Sequence, residues 1–230
     1  MGVKGWTWTL SVAALIMGVA GCEHLFHHHD NAEVEINFDS TAPGKLPEGW
    51  KVAETAGKGK TAKWSVVKDS TAPSGGNALA LIETKNSGRT FNLLIAEEMG
   101  SYKDMEIELK IKSVSGKQDQ GGGFIWRAKD ADNYYVARWN PLEDNFRVYY
   151  VKNGKRQQIA SAKIKADPNK WHEMEIKHFG TTIIAEFDDK ELLKIEDKTF
   201  TKAGKVGLWT KADAATKFDD FVIKLEADDD

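Results

Sequence analysis

Apolar and charged residues alternate with a period of two along Met105-Glu-Ile-Glu-Leu-Lys-Ile-Lys112, and again along Trp171-His-Glu-Met-Glu-Ile-Lys177. Strict alternation of this kind puts every second side chain into a core and the rest into water, as in a half-buried β-strand. The same reading predicts strands over Val34 to Phe38, Lys63 to Val67, Ala78 to Ile82, Phe91 to Ile95, Gly123 to Arg127, Tyr134 to Trp139, Phe146 to Val151, Thr181 to Phe187, Leu192 to Ile195, Val206 to Trp209 and Phe218 to Leu225. Turn-forming runs separate them: Ser74-Gly-Gly-Asn77, Asp130-Ala-Asp-Asn133, Asn153-Gly154, Phe179-Gly180 and Asp188-Asp189. Asn153-Gly154 is the strongest hairpin signal, because both residues tolerate the positive φ of a type I′ turn. No segment sustains a helical period, and only Glu97 to Lys103 offers a short helical turn.

About a dozen or more short strands imply a two-sheet sandwich or a closed barrel. No internal repeat of about 40 residues is present, which argues against a propeller. The first strand ends in Phe38-Asp39-Ser40 and the last opens with Phe218-Asp-Asp-Phe221. These terminal strands are expected to lie side by side.

The first nine residues carry one positive charge, Lys4, and a short apolar run follows, closing on Ala20, Gly21 and the single cysteine, Cys22. That is the layout of a secretory signal, and the run is too short for a bilayer-spanning helix, which needs about 20 apolar residues. The string Val-Ala-Gly-Cys22 resembles a bacterial lipobox. The resemblance implies cleavage before Cys22, lipid on its sulfur and a membrane anchor of two or more acyl chains. The division expected is a signal over 1–21, a lipidated tether over 22–32, one domain over 33–226 and an acidic tail over 227–230. Glu23 does not match the aspartate that retains lipoproteins in the inner membrane of enteric bacteria, which favours the outer membrane. His27, His28 and His29 in the tether lack a supporting shell for a metal and read as solvated linker. With Cys22 acylated no disulfide can form, so stability must come from a buried core. The formal charge of −3 becomes one unit more negative once Lys4 is removed. Such a balance gives no electrostatic footprint for nucleic acid.

The run Gly121 to Asn140, GGGFIWRAKDADNYYVARWN, resembles a motif of concanavalin-like jelly-roll domains. There a glycine-led strand ends in arginine, an Asp/Asn turn follows, and an Asn-Tyr-Tyr strand returns. Asn145-Phe-Arg-Val-Tyr, Lys152-Asn-Gly154, Trp171, Gly204-Lys-Val-Gly-Leu-Trp209 and Phe218-Asp-Asp-Phe221 follow in the order that group shows. The chain is similar to the domains grouped with 3-keto-disaccharide hydrolases and laminin-G-like modules, over Val34 to Glu226. The resemblance implies an all-β, two-sheet antiparallel jelly-roll sandwich. It does not choose among lectin, glycosidase, lyase and spacer. Laminarinase-type relatives carry catalytic acids as Glu-x-Asp-x-x-Glu or Glu-x-Asp-x-Glu, but here Glu106-Ile-Glu-Leu-Lys110 has Glu108 for the aspartate and a lysine in place of the second acid. No catalytic acid is assigned.

Parity along three consecutive strands divides their side chains into two sets. Phe124, Trp126, Tyr135, Trp139, Phe146, Val148 and Tyr150 form an apolar set expected in the core. Arg127, Tyr134, Arg138, Asn140, Asn145, Arg147 and Tyr149 form a polar, arginine-rich set. That second set suits a glycan, since aromatic rings stack on pyranoses and guanidinium forks match carboxylates or sulfates. A solvated face whose arginines pair with acids is the competing reading, and Glu143 and Asp144 are the nearest acids in sequence. They are also conceivable carboxylates of a hydrolase. Trp209 and Trp50 are either stacking platforms or core. His172 and His178 share the parity of Met174 and Ile176, which places them in the core or at its rim.

Jelly-roll glycan proteins often hold calcium near their termini, so the resemblance permits calcium at Asp39, Asp219 and Asp220. Turn and edge-strand acids are the alternative. The leading function expected is a non-catalytic, envelope-anchored carbohydrate-binding lipoprotein with the arginine and Tyr149 patch as its surface. A glycoside or 3-keto-disaccharide hydrolase and a protein-interaction module of the envelope are the alternatives.

Overall fold

The computed structural model describes residues 32–225. Cys22, the three tether histidines and the acidic tail lie outside the described residues. Fifteen strands follow one another: β1 (Glu33–Ile36), β2 (Trp50–Glu54), β3 (Lys63–Lys68), β4 (Asn77–Glu83), β5 (Phe91–Ala96), β6 (Met105–Ser115), β7 (Gly122–Asp130), β8 (Asn133–Asn140), β9 (Asn145–Lys152), β10 (Lys155–Lys163), β11 (His172–Phe179), β12 (Thr182–Phe187), β13 (Lys190–Glu196), β14 (Lys205–Lys211) and β15 (Ala215–Lys224). Among the described residues the only helical piece is a 3-10 turn, Thr55–Gly57. The expected turn at Glu97 to Lys103 is not helical; Tyr102 instead forms an isolated bridge with Gly204.

Two antiparallel sheets result. One runs β13-β12-β11-β6-β15-β4-β3, with β1 also on β15; the other runs β10-β9-β8-β7-β14-β5-β2. The terminal strands do meet, with Glu33 opposite Lys224 and Ile36 opposite Phe221. The long alternating strands β6 and β11 pair at the centre of the first sheet, with Ile107 opposite Ile176 and Leu109 opposite Met174. Their apolar residues are buried inward. Their charged partners form ion pairs outside, Lys110 with Glu173 and Lys177 with Glu175 and Glu186. Lys110 therefore belongs to a charged sheet face, not to a catalytic row.

The core between the sheets is built on the apolar set read from parity. Phe124, Trp126, Tyr135, Trp139, Phe146 and Val148 are buried there, and Tyr150 packs on its edge. Trp126 stacks on Tyr135 at 5.4 Å between centroids and donates its Nε1–H to His178 Nδ1 at 2.9 Å. His172 sits at the rim, bonded to Asp188 Oδ2 at 2.7 Å and to the Asp167 carbonyl at 2.8 Å. Trp50 lies in this core against Phe38 and Phe221. A second apolar cluster covers the middle of the seven-stranded sheet's outer face and includes Phe91, Tyr134, Val136, Tyr149 and Trp209. Carrying apolar side chains on both faces, this sheet departs from simple inward-apolar, outward-polar alternation.

Candidate functional site

The outer face of the seven-stranded sheet gathers six of the seven residues of the predicted polar set. Register places Arg147 opposite Arg138, Tyr149 opposite Val136, and Asn145 opposite Asn140, with Tyr134 next along β8. Arg127 is missing from this row. The β7–β8 ladder slips between Trp126 and Asp130, and Arg127 adopts a left-handed φ of 43°. A bulge inserts an unpaired residue and re-aims the side chain. The guanidinium turns to the end of the sandwich, where Nε donates to the Lys103 carbonyl at 2.7 Å and Nη1 to the Phe200 carbonyl at 2.9 Å. It also reaches the Gly180 carbonyl and pairs with Asp104 at 3.1 Å. Burial lowers its pKa while Asp104 opposes that shift. Arg127 is a clamp on three loops, not a ligand contact.

The rest of the row is paired from within, with only Arg138 Nε and Asn145 Oδ1 buried and unbonded among its side-chain atoms, and this corrects the expectation of a wet arginine surface. Arg138 is 1 % exposed and pairs with an equally buried carboxylate, Asp119, at 2.9 Å. Asn140 and Lys211 bind the same carboxylate, at 3.2 and 2.5 Å. Tyr134 shares its hydroxyl with Thr55 at 2.7 Å and accepts the Trp209 indole N–H at 3.3 Å. Burial raises its pKa. Asn145 donates to Glu143, and Arg147, the most open of the six, pairs with Glu143 at 2.7 Å. Burial would raise the Glu143 carboxyl, but Asn145 and the charges of Arg138, Arg147 and Lys211 outweigh it and hold the pKa below its ordinary value. A carboxylate held ionised in this way cannot serve as a general acid near neutral pH.

Beside this paired row lies a pocket of about 590 Å³, reached from the β9–β10 hairpin. Phe91 and Tyr149, both buried, form its aromatic floor; Gln158 supplies a neutral amide, while the Thr55 hydroxyl is already engaged by Tyr134 and the Ala131 carbonyl. Arg156 is its central cation, with the guanidinium 4.3 Å from the Tyr149 ring centroid and 4.9 Å from that of Phe91. The polar-set reading stopped at β9 and missed Arg156. The signal was there: Asn153-Gly154 fixes a two-residue hairpin, so alternation continues onto β10 with Arg156 opposite Val151 and Gln158 opposite Tyr149. Asp119 carried no sequence signal, because it lies in a polar loop outside any alternating run.

Two of the predicted calcium ligands, Asp39 and Asp219, meet the 74–77 turn. Asp39 accepts the Asn77 N–H at 3.1 Å, and Asp219 accepts both the N–H and the hydroxyl of Ser74 at 3.1 Å. Burial pushes the Asp219 carboxyl up to about 6, and the neighbouring charge of Asp220 adds to this. Asp220 Oδ1 is buried without a partner. Among the described residues no lysine or arginine pairs with any of the three. Calcium takes six to eight oxygen ligands, and these three aspartates do not bring carboxylate oxygens within 4.8 Å of one another, so the set does not fit the ion and the three side chains read as turn and edge-strand acids. Three acidic groups come within 4.8 Å of one another only at Glu106, Glu108 and Glu175, among the described residues, and Lys177 and Lys224 compensate these.

Similar solved structures share this sandwich. The carbohydrate-binding module CBM66 from Bacillus subtilis is 23% identical, with a TM-score of 0.59, covering 78% of this chain and 96% of that one. A Bacteroides ovatus mixed linkage glucan GH16 protein, solved in complex with a G4G4G3G product, is 12% identical with a TM-score of 0.58, covering 84% and 99%. A Bacillus licheniformis beta-glucanase is 12% identical with a TM-score of 0.57, covering 85% and 98%. At these identities the likeness concerns the fold. No curated protein matches the chain. Residues 37–224 match the 3-keto-alpha-glucoside-1,2-lyase-like domain, and with nearly the whole jelly roll inside that match the chain belongs to this family.

Proposed function

We propose that this protein binds a glycan in the pocket beside the β9–β10 hairpin and does so without cleaving it. One observation carries the reading: a pocket of about 590 Å³ in which Arg156, held over the rings of Phe91 and Tyr149, and the exposed Gln158 offer hydrogen-bonding groups to a polar ligand. A few placed polar groups in a concave site orient a sugar's hydroxyls. No carboxylate lines the pocket, and the nearby Asp119 and Glu143 are engaged by arginine and lysine. A carbohydrate-binding module and a glucan complex among the structural neighbours support the ligand class. A glycan array with the wild type and Tyr149→Ala, both verified by circular dichroism and melting, tests this. Binding by the wild type and at least a tenfold loss in the variant are expected; an array without a single wild-type hit overturns the reading.

Family membership favours a second reading, elimination or hydrolysis of a 3-keto-glucoside. Turnover of a 3-keto-glucoside by the purified protein, abolished by one side-chain substitution, would establish it in place of binding alone.

We further propose that Cys22 carries lipid and holds the domain at the bacterial envelope, on the outer membrane. The Val-Ala-Gly-Cys string after an apolar run supports this. Labelling of growing cells with an alkynyl fatty acid should mark the wild type and not Cys22→Ser, and the variant should leave the membrane fraction. Equal membrane retention of the two would overturn the proposal.

A further inference from the structure

We propose that the pocket selects an acidic sugar, one bearing a carboxylate or a sulfate ester, a step that rests on the glycan reading above. Four of its lining side chains are cationic: Lys58 after the 3-10 turn, Arg89 from the β4–β5 loop, and Lys155 and Arg156 of β10. None of the four forms an ion pair among the described residues, and no acidic residue lines the cavity. The contrast with the adjoining row is direct. Arg138, Arg147 and Lys211 have each found a carboxylate, Asp119 or Glu143. The pocket's cations also run against the balance of the whole chain, whose formal charge is −3.

Arg156 shows what the pocket lacks. Its guanidinium lies between 4.3 and 5.8 Å from the ring centroids of Tyr149, Phe91 and Trp209. Packing on aromatic faces fixes the plane of a guanidinium while leaving its edge N–H donors free for a ligand. Nη1 is buried and has no hydrogen-bond partner among the described residues. A buried charged donor without an acceptor is costly, and an oxyanion arriving in the fork removes that cost. Lys58, Arg89 and Lys155 are exposed and surround this fork with further positive charge. The rings hold the guanidinium, and the cations take the acid of the sugar. A neutral sugar would leave Arg156 Nη1 without an anionic acceptor.

The purified full chain is titrated calorimetrically with tri-galacturonate, with the methyl ester of the same trisaccharide, and with a sulfated galactotriose. The acid and its ester share shape and hydroxyls and differ in charge, while the sulfated arm decides which oxyanion is preferred. At least one charged ligand should bind tenfold or more tighter than the ester, with affinity falling as salt is raised. Arg156→Ala should erase that advantage. Arg89→Ala, on the exposed rim, should weaken the charged ligand several-fold with an unchanged melting temperature, which guards against misfolding of the Arg156 variant. Equal affinity for acid and ester overturns the acidic preference while glycan binding stands. Absence of binding in all three arms overturns the acidic preference too, and hits on the neutral glycans of the array then show whether the broader reading survives.

Discussion

Arg127 and Arg156 are two arginines of one sheet with opposite fates. Arg127 spends its donors on the Lys103, Gly180 and Phe200 carbonyls and on Asp104. Arg127→Ala should therefore cost about 3 kcal/mol in chemical denaturation, since it strands several buried acceptors at once. A loss under about 0.5 kcal/mol would show that the clamp contributes little. His178 gives the residue-scale pH dependence. Buried against Trp126, it has its pKa pushed down to about 3 by burial, with the Arg127 charge adding, against an ordinary 6.5. Folded His178 thus stays neutral while the unfolded chain takes up a proton below about pH 6.5. This group leaves stability unchanged above pH 6.5 and removes it as pH falls toward 3, by about 1.4 kcal/mol per unit. Unfolding free energies measured from pH 7 to 4 should fall less steeply in His178→Gln than in the wild type.

At the scale of elements, the alternating strands were legible because each of their residues obeys one rule: Met105 to Lys112 has a wet side and a buried side, and it lies at the centre of its sheet. Parity likewise delivered the core row of Phe124, Trp126 and Trp139. It failed at Arg127, where a bulge turns the side chain out of the row. A bulge is set by what lies around the strand, here three carbonyls from distant loops, and leaves no trace in local alternation. The strand β2 was passed over because Trp-Lys-Val-Ala-Glu is short and only half-alternating. Parity also read the row Arg138, Asn140, Asn145 and Arg147 as wet, because alternation reports which face a side chain takes and says nothing of the partners waiting there. The hairpin between β9 and β10 delivers Arg156 to its pocket. Asn153 and Gly154 both take positive φ, 50° and 71°, and a Cβ on Gly154 would approach Ala56 Cβ at 2.9 Å. Gly154→Ala should lose about 1–2 kcal/mol of stability by thermal melting, because a left-handed backbone disfavours a Cβ. Glycan affinity should fall with it if the hairpin positions Arg156; unchanged affinity would separate the turn from the site.

Over the whole molecule, two aspartates tie the N-terminal segment, the 74–77 turn and the last strand together, Asp39 through Asn77 and Asp219 through Ser74. Asp219→Ala should lower the melting temperature by several degrees, because the Ser74 N–H and hydroxyl lose their acceptor, while calcium and a chelator should leave the wild-type melting temperature alike in scanning calorimetry. A calcium-dependent rise at neutral pH would restore the cation reading. Gly75 belongs to the same device: its φ is 35°, and a Cβ there would overlap the Asp39 carboxylate.

The pairing of β1 with β15 brings residue 33 opposite residue 224, and the Leu225 N–H donates to the Ala32 carbonyl at 2.9 Å. The two ends of the jelly roll are thus a few ångströms apart, close enough for a handful of residues to splice them. Such a circular permutant, reopened at the exposed Asp188-Asp189 bend, would retain both layers, and the domain could be grafted into a host loop with its pocket intact.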